Sequence, residues 1–283
     1  MLTKLQGVKS AEEAIELAGL NWNVEQAPLL TGNGMDVESH KALFRSDTRH
    51  ILGIVGKHYE PIQNTRAFAF FDVIVERYKA SYEYAGIIKE GRKIFLQAKL
   101  GKSFDAAPSD TVDSYITLVT THDGNSSLWA FLTPIRLFCQ NQLIRAMKSA
   151  TTNVNIKHTS NVEDRLREAM KVFQMSMDSF EEFEKKAKHL AQKLVDQKMV
   201  DRFLKDIFGD SMRIKAVEKR EKVKALFQHG KGNTGKSAWH LYNAATEYVD
   251  HERSAEKEVA LDSAMFGSGA LLKGKAFETA MQL

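Results

Sequence analysis

Cysteine is nearly absent. The single Cys139 in 283 residues cannot close an internal disulfide, which points to a reducing compartment. Long apolar runs are absent too. No stretch approaches the roughly 20 residues that cross a bilayer. The opening MLTKLQGVKSAEEAIEL has no apolar core and carries acids early, unlike a secretory leader. The expectation is a cytoplasmic chain with no membrane partner. Internal repeats and low-complexity tracts are also lacking. The most informative absence is local. No acidic residue occurs from Gly124 through Val162, while Arg136, Arg145, Lys148 and Lys157 do. A patch free of carboxylates suits a polyanion, because phosphate contacts gain from counterion release without repulsion. The plainer alternative is a half-buried hairpin followed by a helix with solvated cations.

What is present is ordinary in bulk. Hydrophobic residues make up 43% of the chain, normal for a globular protein. The length allows one large domain or two ordinary ones. Net charge is +4, from 40 basic and 36 acidic residues, so distribution matters more than total.

Residues 1–40 read as a peripheral segment, with a short helix started by Ser10-Ala-Glu-Glu and a loop at Thr31–Gly34. Residues 41–158 read as a β-rich core. In it, Pro61 ends a strand or marks an edge. Asn64 is placed to cap a helix near 65–79, with Phe68, Phe71, Val75 and Tyr78 at helical spacing. YEYAGIIKE and KIFLQAKL form one hairpin around Glu90-Gly91-Arg92. DSYITLVTT and SSLWAFLTP form another around Asp123-Gly124-Asn125. At Thr133-Pro134 two readings stay open: a helix starts there, or the strand continues to Phe138 and Asn141 caps the next helix. Both give a helix near 141–149. Residues 159–255 read as helical, with a capping box at Ser160-Asn-Val-Glu163 and one long helical region to about Phe208. Residues 256–283, rich in glycine, read as a weakly ordered tail. The class is α+β: antiparallel hairpins forming a sheet in the first half, packed with helices from the second.

GKGNTGKS (230–237) fits the phosphate-binding loop pattern at each fixed position. The segment before it, IKAVEKREKVKALFQ, reads as a charged helix rather than a buried strand, and only 46 residues follow Ser237. The match is therefore taken as coincidental, and neither a nucleotide nor another cofactor is expected. The histidines are scattered, with no metal-ligand spacing, so no metal and no catalytic residue is assigned. His122-Asp123 is read as turn chemistry. Cys139 is read as a small apolar core residue. A second basic region, 202–236, holds ten Lys/Arg and four acids. A solvated helix face is its usual meaning.

LGIVGKHYEPIQN (52–64), THDGNSS (121–127), RLFCQNQL (136–143), IKHTSNVEDR (156–165) and TGKSAWHLYNAATEYVDH (234–251) occur in this order. Together they resemble the phage/plasmid-like protein family labelled domain of unknown function 932. That family is carried by phages, prophages and plasmids, which would place the chain in a host cytoplasm. Its order of hairpins then helices is similar to single-strand annealing recombination proteins of the Red-beta and Erf types. Those proteins form rings or filaments that hold single-stranded DNA in a basic groove, without ATP or metal.

The expectation is a DNA-annealing oligomer rather than an enzyme. Its partners would be single-stranded DNA, further copies of itself, and a single-stranded-DNA-binding protein or nuclease. Arg136, Arg145, Lys148 and Lys157 are the first candidates for phosphate contact. Lys219, Arg220, Lys222 and Lys224 would form a second DNA surface or meet the next subunit. Trp129 and Phe131 could stack on bases, although two aromatics on one strand face are more often core. The alternative is a mobile-element protein that modulates a host or defence factor.

Overall fold

In the computed structural model of the chain, residues 2–124, 128–136, 154–155, 162–231, 235–254 and 256–283 are described. Among the described residues the strands are β1 (Leu2–Lys4), β2 (Val24–Leu30), β3 (Asp36–Arg45), β4 (Ile51–Gly56), β5 (Ser81–Ile88), β6 (Lys93–Ala107), β7 (Asp110–Thr121), β8 (Trp129–Arg136) and β9 (Val154–Asn155). The helices are α1 (Ala11–Leu17), α2 (Asn64–Tyr78), α3 (Val162–Gln192), α4 (Gln197–Phe208), α5 (Ile214–His229), α6 (Ala238–Glu247), α7 (Lys257–Phe266) and α8 (Ser268–Met281). One sheet has the order β1-β5-β6-β7-β8-β9 and the other β2-β3-β4. This is the α+β class expected, with antiparallel sheets in the first half and helices in the second. The first expected hairpin forms as β5 and β6. The strands of the second, β7 and β8, are neighbours in the sheet, with part of their turn outside the described residues. At Thr133-Pro134 the strand continues to Arg136. The expected helix near 141–149 and the capping residue Ser160 lie outside the described residues.

The chain divides into two compact units, each assembled from separated stretches. Unit 1 comprises Met1–Gly101, Ile116–Phe131 and Asn153–Met175. Residues 1–40 are not peripheral to it. β1 adds to β5 at one end of the six-stranded sheet, with Leu2 opposite Gly86. Ser10 caps α1 by accepting from the Glu13 N–H at 3.2 Å, as its sequence position predicts. Leu5, Ala14, Ile15, Leu20 and Trp22 are buried with Phe68, Phe71 and Ile74 of α2. Asp72 ties these pieces together, accepting from the Ala11 N–H at 2.6 Å and the Tyr82 hydroxyl at 2.7 Å. The Tyr82 hydroxyl is correspondingly held protonated, by burial first and by Asp72 second.

Asn64 does not cap α2. Gln63 occupies that position with extended backbone, and Asn64 is the first helical residue. The Asn64 amide instead donates to the carbonyls of Leu20 (2.8 Å) and Trp22 (3.2 Å). Gln63 adds a reciprocal pair with Val24, donating to its carbonyl at 3.1 Å and accepting its N–H at 2.8 Å. The oxygen of Asn64 lies 2.8 Å from Nε2 of His122. Because the Asn64 nitrogen is occupied by two carbonyls, its oxygen must accept, and His122 Nε2 must donate. The proton therefore sits on Nε2 and the lone pair on Nδ1. That Nδ1 is buried with no hydrogen-bond partner among the described residues. Trp22 stands edge-on to the imidazole, ring centroids 5.4 Å apart, and Arg45 lies 4.5 Å over the indole. Arg45 is itself held by both carboxylate oxygens of Asp47, at 2.9 and 2.6 Å. That fork keeps the Asp47 carboxyl below its usual range. Gly53 of β4 is needed beside this turn, because a Cβ there would fall 2.8 Å from Asp123 Cα.

Unit 2 comprises Lys102–Tyr115, Leu132–Thr152 and Ser176–Leu283. Its centre is α6, all ten residues of which are buried. Around it, Phe183 stacks on Phe277 at 5.5 Å, and Phe277 meets Tyr242 edge-on at 5.2 Å. The Trp239 indole donates to Asp110 at 2.7 Å. The expected tail is instead the pair α7 and α8, with Ala276, Phe277 and Ala280 buried. Gly269 serves close packing rather than flexibility. At Gly269 a Cβ would fall 2.8 Å from both Ser263 O and Val249 Cγ1. Lys273 of α8, only 1% exposed, bonds Asp250 at 2.9 Å. The expected single helical region to Phe208 is broken at Lys193–Asp196. There Leu194 bridges Ser237, and Asp196 caps α4 by accepting from the Met199 N–H at 2.8 Å.

Burial holds the His122 imidazole neutral, lowering its pKa from 6.5 to about 4. The unfolded chain therefore takes up this proton below about pH 6.5 and the folded chain only near 4. Stability should be full above pH 6.5 and fall as the pH drops towards 4, by about 3 kcal/mol for this group. Urea denaturation of the parent and His122→Gln between pH 4 and 7 checks this. The variant should be less stable at neutral pH but show a flatter profile over that window.

Candidate nucleic-acid interface

The second basic region of the sequence folds as α4, an elbow and α5. Apolar residues of α4 at helical spacing, Val200, Phe203, Leu204 and Ile207, bury one face. α5 has no such stripe, and only its Val223 is fully buried. The cations of this surface fall into two groups.

The first group is engaged. Arg220 donates through Nη1 to the Gly209 carbonyl and through Nη2 to the Ser211 carbonyl, the latter at 2.9 Å. It thereby closes the elbow between α4 and α5. Lys224 reaches back to Asp201 on α4 at 3.2 Å. Lys205 pairs with Asp210 at 3.0 Å, and Arg202 with Asp206 at 3.8 Å. The second group, Lys215, Lys219 and Lys222, is exposed, with no ion pair among the described residues. Their spacing of four and then three residues places them on one side of α5. Glu218, one turn before Lys222, flanks this row.

After α5 the chain enters the loop whose sequence matched the phosphate-binding pattern. The preceding element is a helix, as its charge pattern predicted, whereas a phosphate-binding loop follows a strand. The Lys231 N–H donates to Glu247 at 3.0 Å. Ser237 Oγ lies 2.7 Å from His240 Nδ1, so the hydroxyl is tied to its own helix. Residues 232–234 lie outside the described residues.

The other expected contacts are distributed differently. Arg136 ends β8, and Arg145, Lys148 and Lys157 lie outside the described residues, as does Cys139. Phe131 is 1% exposed and belongs to the core of unit 1, so its ring is not presented to a base. Trp129, half-buried, lies 5.5 Å from it. Of the second set, Lys219 and Lys222 are free, while Arg220 and Lys224 hold α5 in place. Sequence reasoning missed Lys215 as a member of the row. The 3.6-residue period applied to Lys215, Lys219 and Lys222 was the available signal. Among the described residues, no group of three or more His, Cys, Asp or Glu side chains could hold a metal ion. Likewise, no described helix is long and apolar enough to cross a membrane.

The sequence profile of the family described as Domain of unknown function (DUF932) matches residues 51–266, well over half of the chain. The chain belongs to this family. No curated protein matches it, and no solved structure does. The DUF932 match runs from the first residue of β4 to the last of α7. It includes Asn64, His122, the α5 row and all of α6. It leaves out Leu20 and Trp22, whose carbonyls hold Asn64, and Lys273, which holds Asp250.

The two groups of cations should separate by mutation. Arg220→Ala should lower stability by about 1 kcal/mol or more, through the loss of charge-assisted bonds at the elbow. Lys219→Ala should change it by less than about 0.5 kcal/mol. Thermal unfolding of both variants beside the parent measures the difference.

Proposed function

We propose that this DUF932 protein binds single-stranded DNA and anneals complementary strands as an oligomer, without ATP. The observation that carries the reading is the absence of any acidic residue from Gly124 to Val162 beside Arg136, Arg145, Lys148 and Lys157. Such a segment attracts a phosphate backbone and reads no base edges. The similarity of its hairpins-then-helices order to annealing proteins of the Red-beta and Erf types adds to it. So does the family's association with phages and plasmids. In this reading cations fix the backbone, Trp129 offers a flat surface, and the bases stay free to pair. The protein then works in a host cytoplasm beside a single-stranded-DNA-binding protein or a nuclease.

Fluorescence anisotropy tests the binding step. A labelled single strand should bind more tightly than duplex and with little sequence preference. Its affinity should fall with salt, with a log–log slope of roughly −0.7 for each phosphate contacted. Changing Arg136, Arg145, Lys148 and Lys157 together to alanine should weaken binding and annealing in parallel. Each true contact is worth about 1 kcal/mol. Absent binding at low salt, or binding indifferent to salt, refutes the reading. Native mass measurement of the purified protein should show rings or filaments. A stable monomer favours the alternative of a protein that modulates a host factor.

A further inference from the structure

The exposed lysines of α5 form an ordered surface. Ten Lys/Arg lie between residues 202 and 236. Four of them are spent on structure: Arg202, Lys205 and Lys224 in ion pairs and Arg220 on two carbonyls. The free cations of α5 are Lys215, Lys219 and Lys222. They share one side of the helix over a length of about 10 Å, at about 1.5 Å of rise per residue. A lysine row without carboxylate partners keeps its full charge available. α3, by contrast, pairs its charges, with Glu182–Lys186 and Glu184–Lys188 at 2.7 and 2.6 Å. On α5, Glu218 stands four residues before Lys222, the favourable order for an ion pair, and none is formed.

We infer that Lys215, Lys219 and Lys222 form a phosphate-binding track for one nucleic-acid strand, held in position by Arg220 and Lys224 from behind. This rests on the proposed single-strand binding and adds a second set of contact residues, in unit 2, to those of the 124–162 segment. The backbone phosphates are the recognised chemistry. The row carries no aromatic side chain and no fork-shaped donor that would read a base edge, so binding along it is independent of sequence. Arg220 and Lys224 are positioning residues. They fix the rotation of α5 about its axis, and with it the direction in which the row faces. Of the two acids on α5, Glu218 lies beside the row, and its charge opposes the track.

The test uses the full chain and a labelled oligothymidine. Three variants are compared with the parent: K215E/K219E/K222E, the milder K215Q/K219Q/K222Q, and K9E/K57E/R66E. The last makes the same change in net charge at exposed positions of unit 1. Thermal unfolding confirms that each folds, since all nine changes fall on exposed side chains. The α5 glutamate variant should bind roughly 10- to 100-fold more weakly at low salt, with a log–log salt slope shallower by about 2. The glutamine variant should move in the same direction by less, and the unit 1 variant should stay within about threefold of the parent. Glu218→Gln should tighten binding. Heparin should compete, while vesicles of anionic lipid should not. If the parent binds the strand and both α5 variants bind it equally well, the track is refuted and the single-strand reading stands. Equal weakening by the unit 1 variant also refutes it, because net charge alone then explains the loss. If the parent binds no single strand, both fail together.

Discussion

The hydrogen bond between Asn64 and His122 is the constraint on which unit 1 depends. It joins residues 58 positions apart in the chain, at 2.8 Å and fully buried. Through the same amide it reaches the carbonyls of Leu20 and Trp22, so one side chain aligns the start of α2, the end of β7 and the segment leading into β2. The cost is an imidazole that must stay neutral in a buried site. That cost is repaid by defined geometry: one tautomer, one amide orientation, and a tryptophan edge with an arginine stacked on it. Two of the phrases by which the sequence resembles its family, one ending in Gln63-Asn64 and one containing His122, meet at this bond.

Unit 2 is organised on another principle. A helix buried on all sides must satisfy its polar residues inside the core. α6 does so locally for the amide nitrogen of Asn243, which donates to the Trp239 carbonyl, and for Thr246, which donates to the Asn243 carbonyl. At long range Trp239 donates to Asp110. The turn that follows α6 is π-helical, and it presents Asp250 to the buried Lys273. A buried pair of this kind contributes less to net stability than to specificity, since each charge is costly without the other. It commits α8 to one position.

The surface follows from these cores. α5 has one fully buried residue, Val223, packs against α4 and α6, and is tied at its elbow by Arg220 and Lys224. A helix attached in this way keeps most of its circumference exposed. Its free lysines are consequently available to a partner, while cations nearby in sequence are consumed by the elbow. Two neighbouring residues of the same type can thus have unrelated roles, as Lys222 and Lys224 do.

Local signals were legible in the sequence. The α+β class, the two hairpins, the Ser10 cap and the helix before the glycine loop all follow from spacings of a few residues, where backbone propensity and side-chain reach decide the outcome. Asn64 had the right residue type for a cap, but it turned away because its amide had three partners from distant segments. Residues 256–283 looked like a tail because they carry three glycines and little periodicity, and residues 1–40 looked peripheral because they hold only a short helix and a loop signal, although neither segment is poor in apolar residues. Tertiary packing gave those apolar residues their places, with Ile15 and Trp22 in one core and Phe277 in the other. Of the candidate contacts, the sequence supplied the basic composition of 202–236 and the period that aligns Lys215, Lys219 and Lys222. Only the tertiary structure decided which cations were already taken, because a side chain's availability depends on carbonyls and carboxylates brought near by folding, and charge counted along the chain does not contain that distance.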